Sequence, residues 1–366
     1  MAKEIILVSE PWIGDKEKEL VNQALDEGWV SSIGRFILEF EEKFAKFCSV
    51  KHGLAVSNGT VALHLALEAL GIESGDEVLI PSLTFIATAN AVHYTGAKPV
   101  CVDSEPETWN LDVEDLRKKI TSKTKAIVPV HLYGHPCEMD EILEVAEEND
   151  LLVVEDCAEA HGAEYKKKKV GSFGDAGVFS FYANKVITTG EGGAIVTDDD
   201  ELFEKMHFLR DHAMSKDKRY FHPEIGYNYR MTNLQAALGV AQMERIDEFI
   251  ENKRKNAQLY NSLLKDTKGI TLPPEKSHVK NVYWMYSILI EDEFPLTKDE
   301  LMKELKEKGI DTRPFFIPIN LQPPYKGQPV CRVAEEISSK GMSLPSSTKL
   351  TKEQIFGIAD VINSGH

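Results

Sequence analysis

Residues 52–71, "HGLAVSNGTVALHLALEALG", decide the fold. The apolar run "HGLAV" reads as a strand, and "GTVALHLALEA" carries the closer-packed apolar spacing of a buried helix. Ser57 or Asn58 between them can cap the helix N-terminus, and Gly71 can end it. The same alternation repeats downstream. "DEVLIP" precedes "TFIATANAVHYTG", "KPVCVD" precedes "DVEDLRKKI", "KAIVPV" precedes "CEMDEILEVAEEND", and "LLVVEDC" closes the series at residue 157. These strands are nearly continuous in Val, Ile and Leu, as expected where helices cover both faces of a sheet. The pattern predicts an α/β fold built on a large, doubly wound, mostly parallel sheet. Its ligands should bind beyond the carboxyl ends of the strands.

Composition bounds the rest. The chain has 366 residues, 42% hydrophobic and 28% charged, enough for a large core and more than one domain. A net charge of −17 argues against a nucleic-acid or anionic-membrane partner, though a basic pocket for a small anion remains compatible with it. The N-terminal stretch lacks the apolar core of a signal peptide, and no window approaches a membrane span, so the expected location is the cytoplasm. Five cysteines without CxxC or metal-like spacing read as reduced structural thiols, and no metal site is expected. The "KKKK" run at 166–169 reads as a solvated hairpin or loop.

After residue 200 the pattern changes. "MTNLQAALGVAQMERIDEFIENKRKNAQLYNSLLKD" predicts one long helix, followed by the elements of a smaller α+β domain. The boundary falls in the 246–270 region, giving a large domain over 1–250 and a small one over 251–366. The N-terminal segment is free to pack with the small domain.

Three segments carry chemistry-bearing residues. In "SNGTVALHLAL" the N–H groups of Gly59 and Thr60, with the Thr60 hydroxyl, suit a phosphate at a helix N-terminus, although an ordinary capped turn has the same pattern. "LLVVEDC" ends in adjacent carboxylates, Glu155 and Asp156, which a strand's period of two sends to opposite faces, so one of the pair is expected on the buried side. In "GDAGVFSFYANKVITTGEGGAIVT", residues 174–197, Lys185 follows an apolar strand and sits among small, uncharged neighbours. Desolvation there would lower its pKa and leave a nucleophilic amine. Asp156, Ser180 and Lys185 together suit pyridoxal phosphate, which needs an amine for its aldehyde, a carboxylate for its ring nitrogen and donors for its phosphate.

These segments, with "GWVSSIGRFILEFEEKFA", "PSLTFIATANAV", "PVHLYG", "GYNYRMTNLQAALG" and "RPFFIP", resemble the DegT/DnrJ/EryC1/StrS sugar aminotransferases over nearly the whole chain. Within that family the likeness is greatest to the GDP-perosamine synthase branch, through "WVSSIGRFILEFE", "HLYGHPCEMD", "EDCAEA" and "NKVITTGEGG". The resemblance implies the fold-type I architecture and pyridoxal 5′-phosphate, with pyridoxamine 5′-phosphate as the alternate cofactor form. It implies that Lys185 forms the Schiff base, Asp156 pairs with the ring nitrogen, and Phe85 and Ala158 cover the two ring faces. By the same resemblance Gly59, Thr60 and Ser180 hold the phosphate, and Asn228 reaches the phosphate of a neighbouring subunit, which implies a homodimer with shared sites. Glu159 departs from the Gln or His common at its position and is read as subgroup character beside the cofactor.

The implied reaction moves an amino group from L-glutamate to C4 of a nucleotide-linked 4-keto-6-deoxy sugar, with GDP-4-keto-6-deoxy-D-mannose as the expected acceptor. Arg35, Arg230 and Arg313 are candidate partners for diphosphate or carboxylate. His131, Tyr133 and Tyr182 are candidate sugar contacts. A UDP- or dTDP-linked acceptor is the nearest alternative, and a regulatory relative that binds cofactor without turnover is a second. A sugar dehydratase of the same fold replaces the lysine with histidine, which Lys185 contradicts.

Overall fold

The computed structural model describes residues 5–364. Seven strands, β1 (His52–Val56), β2 (Glu77–Pro81), β3 (Lys98–Val102), β4 (Thr124–Ile127), β5 (Leu152–Asp156), β8 (Ala176–Ser180) and β9 (Gly193–Thr197), form one sheet in the order β1-β9-β8-β5-β4-β2-β3. The pairs from β3 through β8 are parallel, and β9 alone runs against its neighbours. The mostly parallel α/β sheet expected from the apolar strand runs is therefore present. Helices α3 (Gly59–Ala69), α4 (Ala87–Tyr94), α5 (Val113–Lys119), α6 (Met139–Asn149) and α7 (Asp200–Arg210) are among those that cover it.

The first strand–helix unit forms as its sequence dictates. Asn58 Oδ1 accepts from Val61 N at 3.0 Å, capping α3, and Gly71 follows its end at φ 82°, a conformation that favours glycine. The lysine run forms a hairpin of β6 (Glu164–Tyr165) and β7 (Lys168–Lys169), turning at Lys166 and Lys167.

Two further helices, α1 (Asp15–Asp26) and α2 (Arg35–Cys48), pack against α8 (Asn233–Met243). One long helix was expected over 231–266. Instead α8 ends at Met243 and α9 (Ile246–Leu264) begins after Arg245, whose φ/ψ of −118°/5° interrupts the helical path. Gln242 near the break donates from Nε2 to Glu17 Oε1 at 2.6 Å and to Trp12 O at 3.0 Å, tying it to the N-terminal segment.

Beyond α9 lies an antiparallel sheet of β10 (Ile270–Thr271), β12 (Tyr286–Ile290), β14 (Gly341–Leu344) and β13 (Arg313–Pro314), in that order, while β11 (Val279–Lys280) pairs with β6. A separate core joins Tyr260, Leu264, Tyr286, Ile288, Leu301, Leu305, Ile355 and Ile358 here. Helices α10 (Lys298–Glu307), α11 (Arg332–Lys340) and α12 (Lys352–Ser364) flank this region. The N-terminal segment joins it too, with Ile6 N donating to Gly309 O at 2.9 Å and Ser346 N to Val8 O at 2.7 Å. No helix of the described residues is long and apolar enough to cross a membrane.

Candidate active site

β5 brings its last two carboxylates to opposite faces, and both are buried, Glu155 completely and Asp156 at 5% exposure. The expectation that only one would lie on the buried side is corrected here, because helices and loops close over both faces of the central strands. Glu155 is a loop anchor. Its carboxylate accepts from the N–H groups of Gly171, Phe173 and Gly174 at 2.8, 2.6 and 3.0 Å.

Asp156 faces the other way. Its Oδ1 accepts from Ala158 N at 3.1 Å and its Oδ2 from Thr88 Oγ1 at 2.9 Å. Burial raises its pKa, and these two donors and Lys185 pull it back toward the ionised form. Lys185 follows Phe181 by one loop, with its N–H donating to Tyr182 O at 2.9 Å. Burial lowers the Lys185 pKa against the opposing pull of Glu159 and Asp156. Glu159 completes the set. Its Oε2 accepts from Tyr133 N at 2.7 Å, and burial pushes its carboxyl up to about 7. An amine pushed toward its neutral form thus lies within the electrostatic reach of two buried carboxylates, an arrangement suited to Schiff-base formation and proton movement.

An anion cradle lies at the start of α3. Asn58 takes the third N–H, leaving those of Gly59 and Thr60 without an acceptor among the described residues. Gly59 lets this helix end approach β8, because a Cβ there would lie 2.8 Å from Ser180 Cβ. Ser180 is thereby set beside two open N–H groups. Phe85, one turn before Thr88, is 55% exposed, a large aromatic ring left uncovered at the same edge.

Comparison with known proteins agrees with this geometry. The family model described as the DegT/DnrJ/EryC1/StrS aminotransferase family matches residues 11–363. The chain belongs to that family. It is 48% identical over 353 residues to the GDP-perosamine synthase of Caulobacter vibrioides, covering 96% of this chain and 95% of that one. It is also 48% identical over 359 residues to the GDP-perosamine synthase of Escherichia coli O157:H7, covering 98% of both. Among solved structures, Helicobacter pylori PseC, an aminotransferase involved in the biosynthesis of pseudoaminic acid, superposes with a TM-score of 0.94 at 32% identity, covering 99% of each chain. The protein is a pyridoxal-phosphate-dependent aminotransferase, and the fold, family and cofactor expected from its sequence are borne out. The residues present fit that cofactor: an aldehyde-reactive amine, a buried carboxylate and an open cradle for phosphate converge at the strand ends.

The aminotransferase treats the other candidates differently. His131 is not a sugar contact, since it is fully buried with both ring nitrogens engaged. Nδ1 accepts from Cys137 N at 3.0 Å, so Nε2 carries the proton and donates to Glu155 Oε2 at 3.1 Å. His131, Glu155 and Cys157 bring ligand-type atoms within 4.8 Å of one another, but the hydrogen bonds just described already occupy the first two. Tyr133 is likewise corrected. Its ring packs against Phe315 and Phe316 with centroids 4.7 and 5.4 Å away, its hydroxyl accepts from Phe316 N, and its main chain positions Glu159.

Tyr182 is 48% exposed and remains open to a ligand. Arg35 pairs with Glu27 at 3.0 Å, and Arg230 pairs with Asp211 at 2.7 Å while donating to Asn228 Oδ1. Arg313 is exposed on the edge strand β13. Asn228 lies on the surface of this chain, beyond a loop whose Tyr220 and Ile225 are 75% and 88% exposed. Asn58, one of the two caps expected from the sequence, is the one that acts, whereas Thr88 and Trp284, whose ring lies 3.8 Å from Lys185 Nζ, were not anticipated. Thr88 had a usable signal, because it stands one helical turn after Thr84 in "TFIAT". Trp284, 99 residues from Lys185, had none.

Proposed function

We propose that this aminotransferase moves the amino group of L-glutamate to C4 of GDP-4-keto-6-deoxy-D-mannose and so forms GDP-perosamine. The observation that carries the acceptor's identity is the 48% identity, over nearly complete chains, to two GDP-perosamine synthases. Lys185, Asp156, Glu159, Gly59, Thr60, Ser180, Phe85 and Ala158 would hold the cofactor, with Lys185 on its aldehyde, Asp156 on its ring nitrogen and the α3 N-terminus with Ser180 on its phosphate.

Bound there, pyridoxal phosphate supplies a carbonyl for amino groups and a ring that spreads the electron pair left when a neighbouring C–H bond breaks. The protein does the rest. Desolvation shifts Lys185 Nζ toward its neutral form, which suits it to take up and return the proton of the amino-bearing carbon. Thr88 and the Ala158 N–H fix the Asp156 carboxylate in one orientation before any ligand arrives, which is electrostatic preorganisation. Glu159, held by Tyr133 N, keeps a second carboxylate facing Lys185 and can hold a proton near neutral pH.

Residues 1–250 are assigned to the cofactor-binding part and 251–366 to a smaller part. We assign a homodimer in which Asn228 serves the neighbouring subunit's site. The exposed apolar loop before Asn228 supports that reading.

Incubation with L-glutamate and GDP-, UDP- or dTDP-linked 4-keto-6-deoxy sugars tests the acceptor. Aminated product is expected from the GDP-linked sugar. Turnover of a UDP- or dTDP-linked sugar without the GDP-linked one would transfer the assignment to that nucleotide.

A further inference from the structure

Lys185 is not alone in being withdrawn from water. Lys253, in the first half of α9, is 3% exposed and donates from Nζ to the main-chain oxygens of Trp284 at 3.1 Å and Ser346 at 2.7 Å. Among the described residues no carboxylate is hydrogen-bonded to it, and burial pushes its ammonium down to about 7. Burying an ammonium with only two main-chain carbonyls as partners is costly. Its α9 neighbours hold the same stretch of chain, with Asn256 Nδ2 donating to Ser347 O at 3.1 Å and Tyr260 OH to Pro345 O at 3.2 Å.

The residue fixed from the other side is Trp284. It is 5% exposed, and its Nε1–H donates to the carbonyl of Asn184 at 2.7 Å, the residue immediately before Lys185. The same Asn184 carbonyl accepts from Ser9 Oγ at 3.1 Å. Trp284 is therefore gripped at its main chain by Lys253 and at its indole by the Lys185 loop, while its ring face lies 3.8 Å from Lys185 Nζ. That distance is well inside the range of a cation–π contact, and indole is the strongest of the natural rings for it. Lys185 and Lys253 also line one cavity of ≈ 10 Å³ with Ser9, Thr188 and Gln242, about the volume of a single water.

We propose that the Trp284 ring is the seat of the Lys185 ammonium whenever that lysine is not bonded to the cofactor, and that Lys253 is the positioning residue that keeps the seat in place. This rests on the reading that Lys185 carries the cofactor. Lys185 interacts electrostatically with Asp156 from β5 and with Glu159 and His161 from the turn after it, and it shares the small cavity with Lys253 from α9 and Glu10 from the N-terminal segment. The ring differs from all of them in attracting the ammonium without titrating. A freed lysine with such a seat stays within reach of the reacting carbon instead of swinging away.

The test follows cofactor uptake by the full-length apoprotein as a function of pH. Absorbance at each pH reports how much of the Lys185 amine is neutral and free to react. Loss of the ring removes an attraction for the charged form. The midpoint is expected to fall by about one pH unit in W284L and by less in W284F, which keeps a weaker ring. K253M is expected to lower the midpoint too, and W284L/K253M to lower it no further than W284L alone. Removing Lys253 merely as a positive charge would raise the midpoint. If K253M does not fold, K253Q, which keeps one donor for the two carbonyls, is expected to give a smaller fall in the same direction.

An unchanged or raised midpoint in W284L, or in W284F should the leucine variant not fold, overturns the seat. An additive double variant, or a raised midpoint in K253M or K253Q, overturns the positioning role. Borohydride trapping and peptide mass analysis separate these failures from a failure of the functional reading. Cofactor trapped on a lysine other than Lys185 would overturn that reading, and the seat with it. Cofactor trapped on Lys185 with an unmoved midpoint would overturn this inference alone.

Discussion

Thr88 Oγ1 donates a 2.9 Å hydrogen bond to Asp156 Oδ2, joining the first turn of α4 to the last residue of β5. Thr84 Oγ1 lies 3.2 Å from Thr88 Oγ1 and continues the chain of hydroxyls. The carboxylate assigned to the cofactor's ring nitrogen is thus aimed by a helix that the chain reaches well before β5.

That bond predicts the behaviour of T88V. Losing a hydrogen bond to a charged group costs about 1.5–3 kcal/mol, and burial already raises the Asp156 pKa. The variant should hold the cofactor about 10–100-fold more weakly, and the acid limb of its activity should move to higher pH. Equilibrium cofactor titration and a pH profile check both; unchanged values would show that Thr88 only packs.

The approach of α3 to β8 makes Gly59→Ala informative. The added methyl would meet Ser180 Cβ at 2.8 Å, so either the helix end or the serine must shift. Weaker binding of both pyridoxal phosphate and inorganic phosphate is expected, while pyridoxal without its phosphate should bind as before. Equal losses for all three would place the phosphate elsewhere.

Glu159 makes stability depend on pH. Its folded pKa of about 7 lies above the ordinary value of 4.5, so the folded apoprotein gains stability as pH falls through this window and loses it as pH rises. E159Q removes that dependence. It should stabilise the apoprotein at pH 8 by up to about 3 kcal/mol, and by little at pH 4.5. Thermal midpoints at the two pH values measure the difference. A variant destabilised at pH 8 would mean that the pairing with Lys185 outweighs the burial of Glu159.

His131 offers the reverse case, a residue whose loss should damage the fold and spare the chemistry. H131L removes one neutral donor from the buried Glu155 carboxylate, which keeps its three main-chain donors, a change that costs about 1.5–3 kcal/mol. Denaturant melts should show the loss, while the KM for nucleotide sugar stays unchanged in the protein that remains folded. A KM raised tenfold without loss of stability would return His131 to the substrate.

The large sheet was legible because its strands are short apolar runs separated by capped helices, a signal contained within each unit. Lys185, Asp156 and Ser180 were legible because a lone lysine and an acid stand at the ends of such runs, where burial perturbs them. The division of the long helix at Met243–Ile246 was not, since the contacts beside it, Gln242 with Trp12 and Glu17, come from more than two hundred residues away. His131 and Tyr133 were misread for a related reason. Polar residues at a strand's end look alike in sequence whether they face a ligand or, like His131, a buried carboxylate of the next strand. Trp284 illustrates the limit most clearly, because only the folded chain brings it to Lys185.

The most direct test of the account is a comparison of wild type with K185A in the half-reaction with L-glutamate, read as 2-oxoglutarate release together with the cofactor's absorbance. K185A is expected to lack the resting absorbance band of the lysine-bound cofactor and to release 2-oxoglutarate about 1,000-fold more slowly. Release by K185A at the wild-type rate would contradict it.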